Sequence, residues 1–259
     1  APGVDGGGSA VHYKVVLGAP PHPLSAEVDL QLEMLFANAM TPFPPAVAQG
    51  EHQMVIFRDS HFWLSPYPTK GMYTEVLVPG DVEEYSRHEP TEKKGKTIIY
   101  GVYNDVPAYG SAPSMVHFHH DRPFVTATSS SRHITVSPWW SEVRVREDLA
   151  VRHSGAALKG HFNRAEYQSK PKSSARSAVS AMSAVLPAGA GGIYYRDEIG
   201  NVSTSVVTRG EANTVMTLRP RYPLFGGWSA SFSIGYSLPL PAAATHDKGT
   251  YRLSLPLPP

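Results

Sequence analysis

IYYRDEIGNVSTSVVTRGEANTVMTLRPRYPLFGGW, residues 193–228, is the stretch that decides the fold class. Ile193, Tyr194 and Tyr195 form an aromatic, β-prone run, which the polar cluster Arg196-Asp197-Glu198 and the turn signal Gly200-Asn201 bring to a stop. β-Branched character resumes over 202–207 and 214–218. Pro220, Pro223, Gly226 and Gly227 then exclude a helix or a central strand over 219–228, so that segment reads as a rigid, shaped turn.

The rest of the chain reads the same way. Apolar and polar residues alternate at period two over 12–17 and 26–35, the pattern of half-buried strands. A helix over 28–39 is the rival there, suited by Leu, Glu, Met and Ala, but the strict alternation favours strand. Further strands are predicted at 53–58, 74–78, 97–103, 115–118, 124–128 and 133–136, and Val143, Val145, Leu149 and Val151 alternate among charges. The charged stretch 83–96 reads as a hairpin tip or exposed loop. The first ten residues, with four glycines, read as a flexible lead, and the Ser/Lys/Ala segment 169–180 as a mobile loop.

At 259 residues the chain can bury a sizeable core in one large or two ordinary domains. Hydrophobic residues make up 41% and charged residues 17%, which excludes disorder throughout. The 24 prolines and 22 glycines favour short strands and turns. A formal net charge of +1 offers no single-sign field for nucleic acid or an anionic membrane. With no cysteine, disulfides and thiolate metal sites are excluded. No run of about 18 apolar residues is present, so no bilayer-spanning segment is read here, and the opening APGVDGGGSA lacks the features of a signal peptide.

YYRDEIGNVSTS (194–205) and RPRYPLFGGW (219–228) resemble the lumenal signature of the ribophorin I family. HFWLSPYPTK (61–70), DVPAY (105–109), SGAALKGHFNRAEYQ (154–168) and AVLPAGAGGIYY (184–195) fall in the family's order, so the resemblance covers roughly 41–236. Members are non-catalytic subunits of the oligosaccharyltransferase complex, which N-glycosylates proteins in the endoplasmic reticulum. The resemblance implies an all-β chain of two β-sandwich-like domains, akin to the β-rich N-terminal domain of zinc aminopeptidases without their catalytic domain; no HExxH is present. Residues 11–79 would close a first, incomplete domain. Residues 80–259 would form the second, itself incomplete, with the tail 238–259 departing from the family.

The role implied is accessory: stabilising the complex in the lumen and presenting acceptor polypeptide to the catalytic subunit. Expected partners are the other subunits, including the multispan catalytic one, together with nascent polypeptide and the translocon. Membrane association would run through a C-terminal helix outside this sequence. No cofactor and no catalytic residue is expected. A free-standing lumenal or secreted β-sandwich module binding polypeptide or glycan is the alternative, and a zinc hydrolase using the histidine strand is a third reading.

Asn201-Val202-Ser203 is the only Asn-X-Ser/Thr sequon, and in a turn opened by Gly200 it makes Asn201 the expected glycosylation site. The plainer reading is an unmodified Asn in a left-handed turn. His117 and His119 would share one strand face, with His133 a conceivable third ligand, but solvated or hydrogen-bonded histidines are the favoured reading and no metal is assigned. Asp197 and Glu198 are neighbours facing opposite ways, unsuited to flanking one bond, and read with Arg196 as a salt-bridged turn. Residues 189–192 lack the following Gly-Lys-Ser/Thr of a phosphate loop and read as a turn. Lys93, Lys94 and Lys96 read as solubilising surface. Trp139 with Trp140, Trp63 with Tyr67, and Trp228 with Phe225 read as core anchors first and as a partner surface second.

Overall fold

The computed structural model of the chain describes residues 29–255. The expected lead at 1–10, the strand at 12–17 and the start of the 26–35 strand lie outside the described residues. In chain order the first strands are β1 (Met40–Pro42), β2 (Ala46–Val47), β3 (Met54–Ser60), β4 (Thr69–Leu77), β5 (Val82–Tyr85), β6 (Thr91–Lys94), β7 (Thr97–Val106) and β8 (Pro113–His119). There follow β9 (Val125–Ser137), β10 (Glu142–His153), β11 (Ala157–Leu158), and the short helices α1 (Arg164–Ser169) and α2 (Pro171–Ser174). Last come β12 (Met182–Pro187), β13 (Gly191–Asp197), β14 (Val206–Arg209), β15 (Asn213–Leu218), β16 (Ser229–Pro239), α3 (Leu240–Ala243), β17 (Ala244–Asp247) and β18 (Thr250–Leu253). The fold is all-β and sandwich-like, as the alternation and turn chemistry predict.

The chain divides into two compact units, one ending at Thr41 and resuming over Val55–Phe118, the other made of Pro42–Met54 and the chain from His119 onward. The boundary expected at 79/80 falls inside the first unit, because β4 and β7 on either side of it pair antiparallel from Thr69↔Val106 to Leu77↔Thr97.

In the first unit the sheets run β1-β3-β8-β5 and β4-β7-β6. Val55, Met72, Ile98, Tyr100, Val116 and Phe118 are buried between turns rich in Gly and Pro. His61 joins them, 2% exposed and stacked on His88 at 4.5 Å and Tyr100 at 5.2 Å. Burial and then the neighbouring His88 push its pKa down. Of the hairpin tip or exposed loop expected over 83–96, the hairpin tip is present as the turn at Gly95-Lys96 between β6 and β7, while β5 ahead of it pairs with β8. Residues 29–36 form no element, and Leu30, Leu32, Met34, Leu35 and Phe36 are exposed, so the strand expected there is not formed. Alternation makes a strand only where a neighbouring ladder covers the apolar face.

The second unit is organised on the four-stranded sheet β13-β16-β10-β9. β10 and β16 pair over eleven residues, from Glu142↔Pro239 to Arg152↔Ser229. Alternation then sends Val143, Val145 and Val151 with Ile234, Tyr236 and Leu238 to the inner face, where Leu186, Met216 and Leu218 of the sheet β12-β15-β14 pack on them. Each such aliphatic side chain contributes about 1.5–3 kcal/mol on burial. Glu147 interrupts this face: it is 1% exposed and held by Arg132 across the β9–β10 ladder at 2.5 Å. The strands expected at 124–128 and 133–136 are one 13-residue strand, β9. The loop expected at 169–180 contains α2, whose Ser174 is 1% exposed, and Val179, which exchanges backbone hydrogen bonds with Leu224 at 2.9 and 3.0 Å.

Candidate glycosylation site and the sheet face beside it

Asn201 sits at the end of a tight turn closing β13. Asp197 N–H donates to Gly200 O at 3.0 Å, and the Asp197 carboxylate accepts the N–H groups of Ile199 and Gly200, each at 3.0 Å. Gly200 has φ +138, a value that glycine alone adopts without strain. Val202 anchors the far side: it is 6% exposed and its N–H donates to Tyr195 O at 2.9 Å. Asn201 itself is exposed. Its Oδ1 accepts from Arg196 Nε at 2.7 Å, while among the described residues Nδ2, the atom that glycosylation modifies, has no partner.

The clamp on this turn comes from the RPRYP segment. Arg221 forks onto the Asp197 carboxylate through Nε and a terminal nitrogen, and the same terminal nitrogen reaches Asn201 O at 3.1 Å. The Arg221 hydrogen bonds, with lesser help from the Gly200 and Ile199 amides, hold the Asp197 carboxyl below its usual range. The salt-bridged turn expected from Arg196-Asp197-Glu198 is therefore present with a different partner. Arg196 instead holds Asn201 and lies over the Tyr194 ring at 4.6 Å. The Pro220-Arg221-Tyr222-Pro223 rigidity was the sequence signal for Arg221, but its target lies 24 residues away.

Beside the turn, the outer face of the β13-β16-β10-β9 sheet is polar. Register sets Arg144 between Thr135 and Ser237, Arg146 between His133 and Gly235, and Asp148 between Ser131 and Ser233. Arg144 pairs with Glu142 at 2.8 Å and Arg146 with Asp148 at 2.9 Å. Hydrogen bonds from Ser237 and then Arg144 keep Glu142 low; Ser233 and then Arg146 do the same for Asp148. The Tyr194 ring lies across Gly235, where any Cβ would overlap it. A groove of about 570 Å³ opens between Glu142 and Tyr194, and one of about 280 Å³ lies beside it between Ser131 and Arg196; Asp148 lines both.

The remaining candidates fall elsewhere. His117 is 8% exposed on β8, and His119 packs edge-on against His52 at 5.5 Å, whose Nδ1 meets Asp121 at 2.7 Å. His133 lies on the outer sheet face, 3.5 Å from Asp148. Among the described residues no group of three or more His, Asp or Glu side chains is placed to hold a metal. Residues 189–192 form a turn and a bulge opposite Ser237, with Gly189 and Gly192 at positive φ. Lys93 and Lys96 reach the carbonyls of Val82 and Pro79, and Lys94 pairs with Glu92. Trp228 is packed among Phe225, Phe162 and Tyr222, as a core anchor should be. Trp139 and Trp140 are not: they are 97% and 77% exposed at the β9–β10 turn, beyond the reach of either sheet. Trp63 and Tyr67 are also exposed, at 50% and 73%.

The Ribophorin I family model matches residues 3–259, so the tail expected to depart from the family falls within the match. Dolichyl-diphosphooligosaccharide–protein glycosyltransferase subunit 1B of Arabidopsis thaliana is 40% identical over 230 residues, which are 88% of this chain and 49% of that protein. Subunit 1A of the same plant is 40% identical over 231 residues, 88% of this chain and 37% of that protein. Subunit 1 of Caenorhabditis elegans is 36% identical over 229 residues, 88% of this chain and 39% of that protein. The chain thus spans about half the length, or less, of these relatives. No helix among the described residues is long and apolar enough to cross a membrane. With the family's motifs running through both units and its match running nearly end to end, this chain belongs to the Ribophorin I family.

Proposed function

We propose that this chain is part of a non-catalytic lumenal subunit of a dolichyl-diphosphooligosaccharide–protein glycosyltransferase, working at the endoplasmic reticulum membrane in protein N-glycosylation. The observation that carries the reading is 40% identity over 88% of the chain to proteins named as subunits of that transferase. The chain's role is to brace sister subunits, the catalytic one among them, and to present acceptor polypeptide beside the translocon. The site chemistry supports an accessory part. A general acid needs a raised carboxyl pKa, whereas Glu142, Asp148 and Asp197 are all pushed down by Ser or Arg partners. On the same reading Asn201 carries a glycan, the exposed amide of the only sequon.

The test is purification of the tagged chain from its own membranes in mild detergent. Retrieval of the multispan transferase supports the proposal, and a lone soluble species points instead to a free-standing β-sandwich module. Glycan transfer to a sequon peptide by the purified chain alone would overturn the non-catalytic assignment. Peptide mass spectrometry before and after glycosidase treatment reads Asn201 directly.

A further inference from the structure

The outer face of the β13-β16-β10-β9 sheet carries two grooves that share Asp148. Sheet faces turned to solvent usually carry long, mobile, mixed charges; here the charges are closed into local pairs and the floor is small. Ser233, Gly235 and Ser237 follow one another along β16, with Ser131, His133 and Thr135 on the far side of β10. Gly235 is required because the Tyr194 ring occupies the space of its side chain. Arg196 lies over that ring and fixes it. The result is a preorganised ridge with a groove on each side, the larger about 570 Å³, within the range of small-ligand sites.

The chemistry of the lining selects the ligand class. The Glu142–Arg144 and Arg146–Asp148 pairs cancel within each pair, so the groove offers no net field to a phosphate, and its carboxylates disfavour an acidic peptide. Yet the Arg144 and Arg146 side chains are 62% and 58% exposed, leaving planar donors beside ionised acceptors. Adjacent planar donors and acceptors, hydroxyl side chains and one fixed aromatic ring suit a neutral, polyhydroxylated chain. A source lies at the rim. Arg196, which caps the Tyr194 ring, holds Asn201 Oδ1 at 2.7 Å, so an oligosaccharide leaving Asn201 starts one residue contact away from the ridge.

We propose that this sheet face seats a neutral oligosaccharide and that its occupant is the glycan carried by Asn201; this rests on the reading of Asn201 as glycosylated. Tethering makes even weak contacts effective, because the sugar is held at high local concentration.

The full chain is made in cells that glycosylate secretory proteins, and Asn201 occupancy is read first by mass spectrometry. An unmodified Asn201 overturns the modification itself. On the occupied protein, endoglycosidase cleavage between the two core sugars is timed in the native state. Cleavage should be about tenfold slower than in the Glu142→Ala/Arg144→Ala double variant, the ratio expected for roughly 1.4 kcal/mol of seating. Both residues face away from the core, so the variant keeps the fold. Equal rates overturn the seat while leaving the modification standing. As a readout independent of any variant, the Tyr194 and Arg144 side-chain NMR resonances should move when the native glycan is trimmed. Unmoved resonances also overturn the proposal. If a free oligosaccharide moves them where the attached glycan does not, Asn201 is overturned as the source.

Discussion

Gln53 Oε1 accepts the backbone N–H of Ala156 at 2.7 Å across 103 residues of sequence. Gln53 is fully buried, and its Nε2 donates to the carbonyls of His120 at 2.8 Å and Arg122 at 3.3 Å. One side chain thereby bridges three backbone groups of the second unit, the buried Ala156 N–H among them. Gln53→Leu keeps the size and takes the acceptor from the buried Ala156 N–H, so it should cost about 1–3 kcal/mol. Urea unfolding followed by far-ultraviolet circular dichroism checks this, and an unchanged midpoint would show that water replaces the amide freely.

His153 is the companion of that site and gives it a pH dependence. Its Nδ1 accepts from Gly155 N–H at 2.9 Å, and its Nε2–H donates to Ser177 O at 2.6 Å, which fixes the neutral tautomer. Burial pushes its pKa below the ordinary histidine value. Between the lowered folded value and about 6.5 the unfolded chain binds the extra proton, so stability is complete above about pH 6.5 and declines as pH falls below it. His61 in the first unit and His120 in the second are pushed the same way, each by burial first. Amide exchange across β10 should quicken on going from pH-corrected 7 to 5, and His153→Gln should flatten that dependence by about one proton.

Gly226 lies against the backbone of Ala156. A Cβ there would overlap the Ala156 carbonyl oxygen and sit 2.6 Å from its carbon, while Gly226 O already accepts from Leu158 N–H at 3.0 Å. The two segments are zipped too closely for a methyl group, and neither contact is a flexible side chain that could swing away. Gly226→Ala should therefore cost about 3 kcal/mol or more, against about 1 kcal/mol for Gly227→Ala, where only the positive φ of +84 is strained. Denaturant midpoints of the two variants decide it, and equal losses would contradict the geometry.

These residues also show what was legible beforehand. FGGW reads as a rigid turn from its own composition, and β10 reads as a strand from Val143, Val145 and Val151, because turn chemistry and period two are local. The approach of Gly226 to Ala156 and the reach of Gln53 are not local, and no periodicity encodes them. The 26–35 alternation misleads for the converse reason: its local pattern is right, but over 29–35, its described part, no ladder covers it. Asn201 was visible as a sequon, whereas the Arg196–Tyr194–Gly235 stack beside it depends on the register of β13 against β16. Tryptophans beside prolines could not be sorted into core and surface, since Trp228 and Trp139 differ only in what lies opposite them.

The Arg221–Asp197 fork should rigidify the sequon turn more than it stabilises the unit. Both side chains are partly exposed, so solvent screens the pair and Arg221→Ala should leave the unfolding midpoint close to that of the wild type. Asp197 is held low by Arg221, so its contribution is present above the unfolded value near 3.9 and is lost as pH falls below that. Local exchange at Ile199 and Gly200 should rise at neutral pH in the variant, and in the wild type only under acid. A variant with unaltered exchange would mean the Gly200 turn holds itself.

Trp139 and Trp140 pose the opposite case, in which removal should leave the fold untouched. They are 97% and 77% exposed at the end of β9, the edge strand of its sheet, where Ile134 and Val136 are 43% and 45% exposed. Large apolar groups at a bare sheet edge cost solubility unless something covers them, and edge strands are places where another chain adds on. Neither indole packs in the core, so Trp139→Ser/Trp140→Ser should shift the unfolding free energy by no more than about 0.5 kcal/mol. If sister subunits of the transferase cover this tip, the same double variant should lose them in detergent co-purification while its circular dichroism spectrum and thermal midpoint stay those of the wild type. Full retention of the partners would place the contact elsewhere on the chain, and a collapse of the midpoint would mean the tip is packed after all.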